Sequence, residues 1–184
     1  SALGARDDAV SRYHRSKRAG ERVVEGSGLR WTIFRPSWIF APGDELSATI
    51  KDIVRKPVVP LINGGKAMIQ PIALEDVCAC MAKALRMPET QGKIYELGGP
   101  DRVSYREIFE QAASCAGRKA PTLTLGAGAI RPVVGLLQHC QSFPLTVDQL
   151  AMLAEDNVCE TDAFVKTFGV TPASFREAIP AMFA

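Results

Sequence analysis

The chain has few metal-binding patterns: two histidines, no CxxC spacing among its five cysteines, and no histidine–carboxylate cluster at ligand spacing. Cys78, Cys80, Cys115, Cys140 and Cys159 are an odd set for a disulfide framework. Cys78 and Cys80 lie two apart in a segment of helical character, where side chains diverge, and read as small core residues. His14 and His139 read as surface or partly buried side chains, so no metal site is expected. An excess of charge of one sign is also lacking. The 22 Lys and Arg against 20 Asp and Glu leave a formal charge of +2, too balanced to attract nucleic acid or an anionic membrane by charge alone. No apolar run approaches the roughly 20 residues that span a bilayer, and residues 1–12 carry no apolar stretch behind a basic start. The expected location is therefore cytoplasmic, with no membrane span and no nucleic-acid partner.

What is present is enough apolar material, 47% of 184 residues, for one real core. Ser11 to Glu25 has helical spacing and runs into Gly26 and Gly28. The stretch LRWTIFRPSWIF follows, apolar on both faces as far as Arg35, and predicts a strand buried on both sides of a parallel sheet until Pro36 interrupts it. A helix is predicted over Asp44–Lys56, stopped by Pro57. PVVPLI and KAMIQPIAL flank Asn63-Gly64-Gly65 and predict a short hairpin or a pair of edge strands. Leu74–Met87 has one apolar helical face, ended by Pro88, and KIYELGG reads as a short buried strand. Capping boxes at Ser104-x-x-Glu107, Thr146-x-x-Gln149 and Ser174-x-x-Glu177 predict helix starts, so the last third reads as small helices joined by loops. The stretch from Ala120 to Pro132 is the expected loop or subdomain edge.

Tyr13-His14-Arg15-Ser16-Lys17 places a phenol and an ammonium one helical turn apart on one face. A free phenol, with a pKa of about 10, exchanges protons poorly at neutral pH, and an adjacent positive charge favours its ionised form. Such a pair suits general acid/base work on a carbonyl or an alcohol. Around it, Lys17-Arg18-Ala19-Gly20-Glu21 is similar to a K-x-x-[AG]-E continuation, and GLRWTIFRPSWIFAPGD to a strand and loop ending in G-P-G-D, with Ala41 in place of the first glycine. QPIALEDVCACMAKAL and GKIYELGGPDRVSYREIFEQAA continue the match. In these motifs the chain resembles the C-terminal half of the extended and atypical short-chain dehydrogenase/reductase families, within the NAD-dependent epimerase/dehydratase superfamily. The nearest subgroup is that of the respiratory complex I accessory subunit and other NAD(P)-binding relatives.

The resemblance implies an α/β fold: the C-terminal part of a Rossmann-type doubly wound parallel sheet over residues 1–119, then a small, mostly helical substrate subdomain over 120–184. It implies a catalytic role for Tyr13, Lys17 and Ser1, which stands twelve residues before Tyr13 and would polarise a substrate carbonyl. It places Tyr13, Lys17, Pro36 and Ser37 against an NAD or NADP cofactor, and Trp38, Phe40 and Gln70 in the substrate cleft. Asp76 is expected to open a helix in a structural role. The implied function is that of an NAD(P)-dependent oxidoreductase or epimerase acting on a small-molecule substrate. The alternative is a non-catalytic protein that holds NAD(P)H, as the complex I accessory subunit or the NmrA-like regulators do. No G-x-x-G-x-x-G segment occurs in the chain: Gly64-Gly65 and Gly98-Gly99 are turn-type pairs, and Gly126-x-Gly128 lacks a third glycine. The chain by itself is therefore expected to be inactive, with an open sheet edge awaiting the missing N-terminal half or a symmetry mate.

Overall fold

The computed structural model describes residues 1–119, 121–138 and 145–183, so His139 and Cys140 lie outside the described residues. In chain order the elements are α1 (Arg12–Glu25), β1 (Thr32–Pro36), β2 (Ile39–Phe40), α2 (Glu45–Val54), β3 (Val59–Ile62), β4 (Met68–Ile69), β5 (Ile72–Ala73), α3 (Leu74–Ala84), β6 (Lys93–Leu97), β7 (Val103–Ser104), α4 (Tyr105–Cys115), β8 (Thr122–Leu125), α5 (Ala127–Leu137), α6 (Val147–Met152), α7 (Asp162–Phe168) and α8 (Phe175–Phe183). Two compact units interleave along the chain. One comprises Ser1–Pro42, Ile69–Arg102 and Asn157–Ala178, and the other the described residues of Gly43–Met68, Val103–Asp156 and Ile179–Ala184.

In the first unit, α1 starts where Ser11 leaves helical geometry and its Oγ accepts the His14 N–H at 3.1 Å. It stops at Gly26, whose N–H returns to the Arg22 carbonyl at 3.0 Å. The β-branched and aromatic run of β1 pairs in parallel with β6, from Thr32 opposite Lys93 to Pro36 opposite Leu97, and β2 pairs in parallel with β5. The prediction of strands buried on both faces is not met. Ile33 alone is buried in β1, and only Tyr95 and Leu97 in β6: α1 meets the Ile33 and Arg35 face and the α3 and α7 core the Phe34 and Tyr95 face, but among the described residues each strand has a single neighbour in its sheet.

That core gathers Ile72, Val77, Cys80, Tyr95, Leu97 and the α7 phenylalanines. Phe168 lies edge-on to Tyr95 at 4.9 Å and tilted against Phe34 at 5.7 Å. Burial pushes the Cys80 thiol up to about 11, as befits an inert core residue. Cys78, expected in the core, is exposed: α3 turns Val77 and Cys80 inward, and Cys78 falls on another side of the helix.

One ion pair fixes α1 to β1. Glu21, 3% exposed, accepts two hydrogen bonds from Arg35, Nε to Oε1 and Nη2 to Oε2, both at 2.7 Å. Arg18 adds a third at 3.1 Å, and the Ser1 hydroxyl a fourth at 2.6 Å. Burial by itself would raise the Glu21 carboxyl, but the bonds from Arg35, Ser1 and Arg18 outweigh it and hold the group at about 2.

The second unit corrects the hairpin reading. β3 pairs in parallel with β8, Val59 opposite Thr122 to Ile62 opposite Leu125, so PVVPLI finds its partner some sixty residues downstream. The strand β8 and the helix α5 occupy the stretch expected to be a loop, and Pro132 lies inside α5. Asn63-Gly64-Gly65 forms a single 3-10 turn with φ of 47°, 73° and 67°. That turn is a mount for two helices: a Cβ on Gly65 would stand 2.8 Å from the Arg106 backbone nitrogen, and the Asn63 side chain accepts the first α5 N–H, that of Ala127, at 2.9 Å. The Thr146 capping box is complete in both directions, and Ser104 accepts the Glu107 N–H at 3.1 Å.

Three outcomes follow from this packing. Phe164→Ala, at a fully buried α7 position, is expected to cost about 3–5 kcal/mol in urea unfolding. Gly99→Ala drives a methyl into the Pro71 carbonyl oxygen and is expected to abolish folding, seen as loss of the near-UV circular dichroism signal. The depressed Glu21 carboxyl contributes stability above its ordinary value of 4.5 that is lost as pH falls towards 2. Unfolding free energy should thus drop by a few kcal/mol across that window, and Glu21→Gln should be less stable at neutral pH and show a flatter acid limb.

Candidate functional site

The first unit carries the candidate site. Tyr13, Lys17 and Glu21 stand at i, i+4 and i+8 of α1, one stripe along the helix. At its outer end Tyr13 is 42% exposed, and the Lys17 Nζ lies 5.2 Å from the centroid of the phenol ring, within cation–π range. At its inner end the stripe is held by Arg35. His14 packs edge-on to the Tyr13 ring at 5.4 Å and is itself buried against Gly4, whose φ of 90° lets the backbone pass close to the imidazole.

Of the expected catalytic residues, Tyr13 and Lys17 are therefore brought together. Ser1 joins the same helix face at Glu21: the carboxylate is ionised and can only accept, so the Ser1 hydroxyl donates to it. Pro36 closes β1 and its carbonyl accepts the Leu3 N–H at 2.8 Å, which lays the segment before α1 along the carboxyl end of that strand. The Ser37 N–H donates to Leu97 at 2.9 Å, and its hydroxyl donates to the Asn157 side-chain oxygen at 2.7 Å. Carboxyl ends of parallel strands are where ligands bind in open α/β sheets, and the chain places Pro36, Ser37 and the segment leading to α1 there.

The expected substrate residues have different surroundings. Trp38 and Phe40 both lie edge-on to Phe175, at 5.0 and 5.2 Å. Gln70 is 3% exposed, and its amide joins two backbones, donating to Gly99 at 2.8 Å and accepting from the Cys159 N–H at 2.9 Å. One amide N–H and one oxygen lone pair of Gln70 remain beyond these two bonds. Asp76 lies in the first turn of α3, as expected, and accepts the Ala173 N–H at 2.8 Å. Among the described residues no three His, Cys, Asp or Glu side chains converge as a metal ion would need, and no helix is long and apolar enough to cross a membrane.

Two residues of this site carried no functional reading in the sequence. Glu21 sits in the K-x-x-[AG]-E motif, and its i+8 position on the Tyr13 stripe was the available signal. Asn157 bonds Ser37 and donates to the Leu3 carbonyl at 3.1 Å, joining segments more than a hundred residues away, a relation that no local pattern announces.

A family model for the NAD dependent epimerase/dehydratase family matches residues 3–98. The mitochondrial NADH dehydrogenase [ubiquinone] 1 alpha subcomplex subunit 9 of Arabidopsis thaliana is 37% identical over 90% of this chain and 42% of its own length. The ceramide reductase of Caulobacter vibrioides is 28% identical over 100% of this chain and 56% of its own. The chain thus spans about half the length of the curated relatives it matches. Among solved structures, an NADPH-dependent quinone oxidoreductase from Escherichia coli superposes with a TM-score of 0.75 at 17% identity, over 100% of this chain and 66% of that one. UDP-glucuronic acid 4-epimerase from Bacillus cereus, solved with UDP-glucuronic acid and NAD, does so with a TM-score of 0.68 at 15% identity, over 100% and 57%. The parallel pairings belong to the Rossmann-type fold of those enzymes, and the chain belongs to the NAD dependent epimerase/dehydratase family.

Proposed function

We propose that the full-length protein is an NAD(P)-dependent oxidoreductase or epimerase in which Tyr13 moves the proton and this chain supplies the substrate side of the site. The observation that carries the reading is the Lys17 ammonium 5.2 Å from the centre of the phenol ring of Tyr13, a residue that remains 42% exposed. Tyr13 gives its proton to a carbonyl oxygen, or takes one from an alcohol, and Lys17 stabilises the negative charge that develops on the phenolic oxygen. The residues fit a dinucleotide: Lys17 offers three N–H donors to ribose hydroxyls, and Pro36 and Ser37 end β1 at the strand edge where such ligands lie. The cofactor, NAD or NADP, supplies the hydride chemistry when bound. Ser1 can donate to a substrate oxygen once its hydroxyl turns from Glu21, and Trp38 borders the same loop.

The open edge of β1 is part of the proposal. Among the described residues β1 pairs with β6 alone, and Val23 of α1 and Leu29, on the chain leading from α1 to β1, are both 74% exposed. A preceding strand of the full-length polypeptide covers such a face better than a symmetry mate, since the Leu3 bond to Pro36 already directs the chain along it. A cytoplasmic location belongs to the same proposal; the relatives from A. thaliana and Neurospora crassa carry mitochondrial names, and cell fractionation distinguishes the two.

The identity with the A. thaliana complex subunit favours a second reading, in which the protein holds NAD(P)H without turnover. In the full-length protein, Tyr13→Phe is expected to lower NADPH or NADH oxidation with carbonyl substrates about 100- to 10,000-fold while leaving the cofactor dissociation constant within about twofold. An unchanged rate contradicts the catalytic reading. Cofactor that stays bound through purification, with no oxidation by the wild type across a panel of ketones, aldehydes and quinones, selects the second.

A further inference from the structure

We infer that Glu21 is a positioning residue for the proposed reaction, setting the rotation and height of the helix that carries Tyr13 and Lys17; this rests on the catalytic reading above. The carboxylate is eight residues, a little over two turns, beyond Tyr13 on the same stripe. Its partner Arg35 occupies β1 directly before Pro36 and Ser37, the loop proposed to face the cofactor. Two parallel N–H···O bonds of 2.7 Å fix both distance and angle, as a single hydrogen bond or an apolar contact does not. One register slip of α1 against β1 would turn the phenol by about 100° around the helix and shift it about 1.5 Å along the axis, and displacements of even the smaller size cost orders of magnitude in rate.

Stability alone does not account for this choice of residues. Well-packed apolar side chains of similar volume stabilise an interior at least as well as a buried ion pair does, whereas a charged fork tolerates one geometry only. The pair is also wired to the other site elements. Glu21 orients the Ser1 hydroxyl at 2.6 Å, and the Arg35 guanidinium approaches Glu96 of β6 at 3.6 Å. Every group facing the carboxylate is a donor or a cation, so it acts as the fixed acceptor from which strand, helix and serine are all measured.

The test uses the full-length protein with NADPH and 9,10-phenanthrenequinone, comparing Glu21→Gln, Arg35→Lys, Tyr13→Phe and the core control Phe164→Ala. Arg35→Lys keeps the charge without the fork and serves if Glu21→Gln fails to fold. The expected result is a kcat lowered by roughly tenfold or more in Glu21→Gln and Arg35→Lys, with KM for NADPH within about twofold. Phe164→Ala, with an equal or larger loss of unfolding stability, is expected to keep its kcat within about twofold. Positioning variants that match the wild type in kcat while Tyr13→Phe loses about 100-fold overturn this inference and leave the catalytic reading standing. The inference also fails if Phe164→Ala loses as much kcat as Glu21→Gln, which would make the effect one of stability. An unaffected Tyr13→Phe, or a wild type without turnover, overturns the reading on which it rests.

Discussion

A carboxylate taken out of water must find donors or give up its charge, and Glu21 finds four bonds from three side chains. The first unit is arranged around that requirement. Its helix, its leading strand and the segment before the helix all converge on one ionised group, and the Tyr13–Lys17 pair stands at a defined distance along the helix from it. Aromatic packing of Phe34, Tyr95 and Phe168 on the core side then gives the strands a floor, and Asn157 ties the Leu3 carbonyl to the Ser37 hydroxyl from the far end of the sequence. The site is thus built from short-range helix geometry plus two long-range polar clasps.

The local parts of this arrangement were legible from residue order. The helical spacing over residues 11–25, the glycines that end it and the three capping-box patterns located the helices, because periodicity and caps are set by residues three or four positions apart. The phenol–ammonium pair followed from the i, i+4 rule and is found in contact. What remained hidden depends on pairing at a distance. PVVPLI shows a turn signal beside it and still pairs in parallel with residues 122–125, since Gly65 is needed for close approach to Arg106 rather than for a hairpin. KIYELGG reads as a short buried strand, yet only Tyr95 and Leu97, every second side chain, meet the core. Gln70 looks like a cleft residue in a motif, while its amide has become a bridge between the Gly99 and Cys159 backbones.

The two functional readings share this geometry and differ in whether the proton on Tyr13 moves. A protein that merely holds a dinucleotide needs donors for its ribose and phosphates, and an exposed phenol under a cation is superfluous to that task. An oxidoreductase or epimerase needs such a phenol, together with a frame stiff enough to hold it against the reacting carbon. The Glu21–Arg35 fork supplies stiffness of that kind, in a chain whose relatives include both an NADH dehydrogenase subcomplex subunit and a ceramide reductase.

The most direct measurement is a crystal structure of the full-length protein with NADPH bound. The account predicts Lys17 Nζ about 3 Å from the nicotinamide ribose hydroxyls, with the Tyr13 oxygen facing the nicotinamide C4 and the Glu21–Arg35 fork intact beneath them. A nicotinamide lying elsewhere, with Tyr13 and Lys17 both turned to solvent, would contradict it.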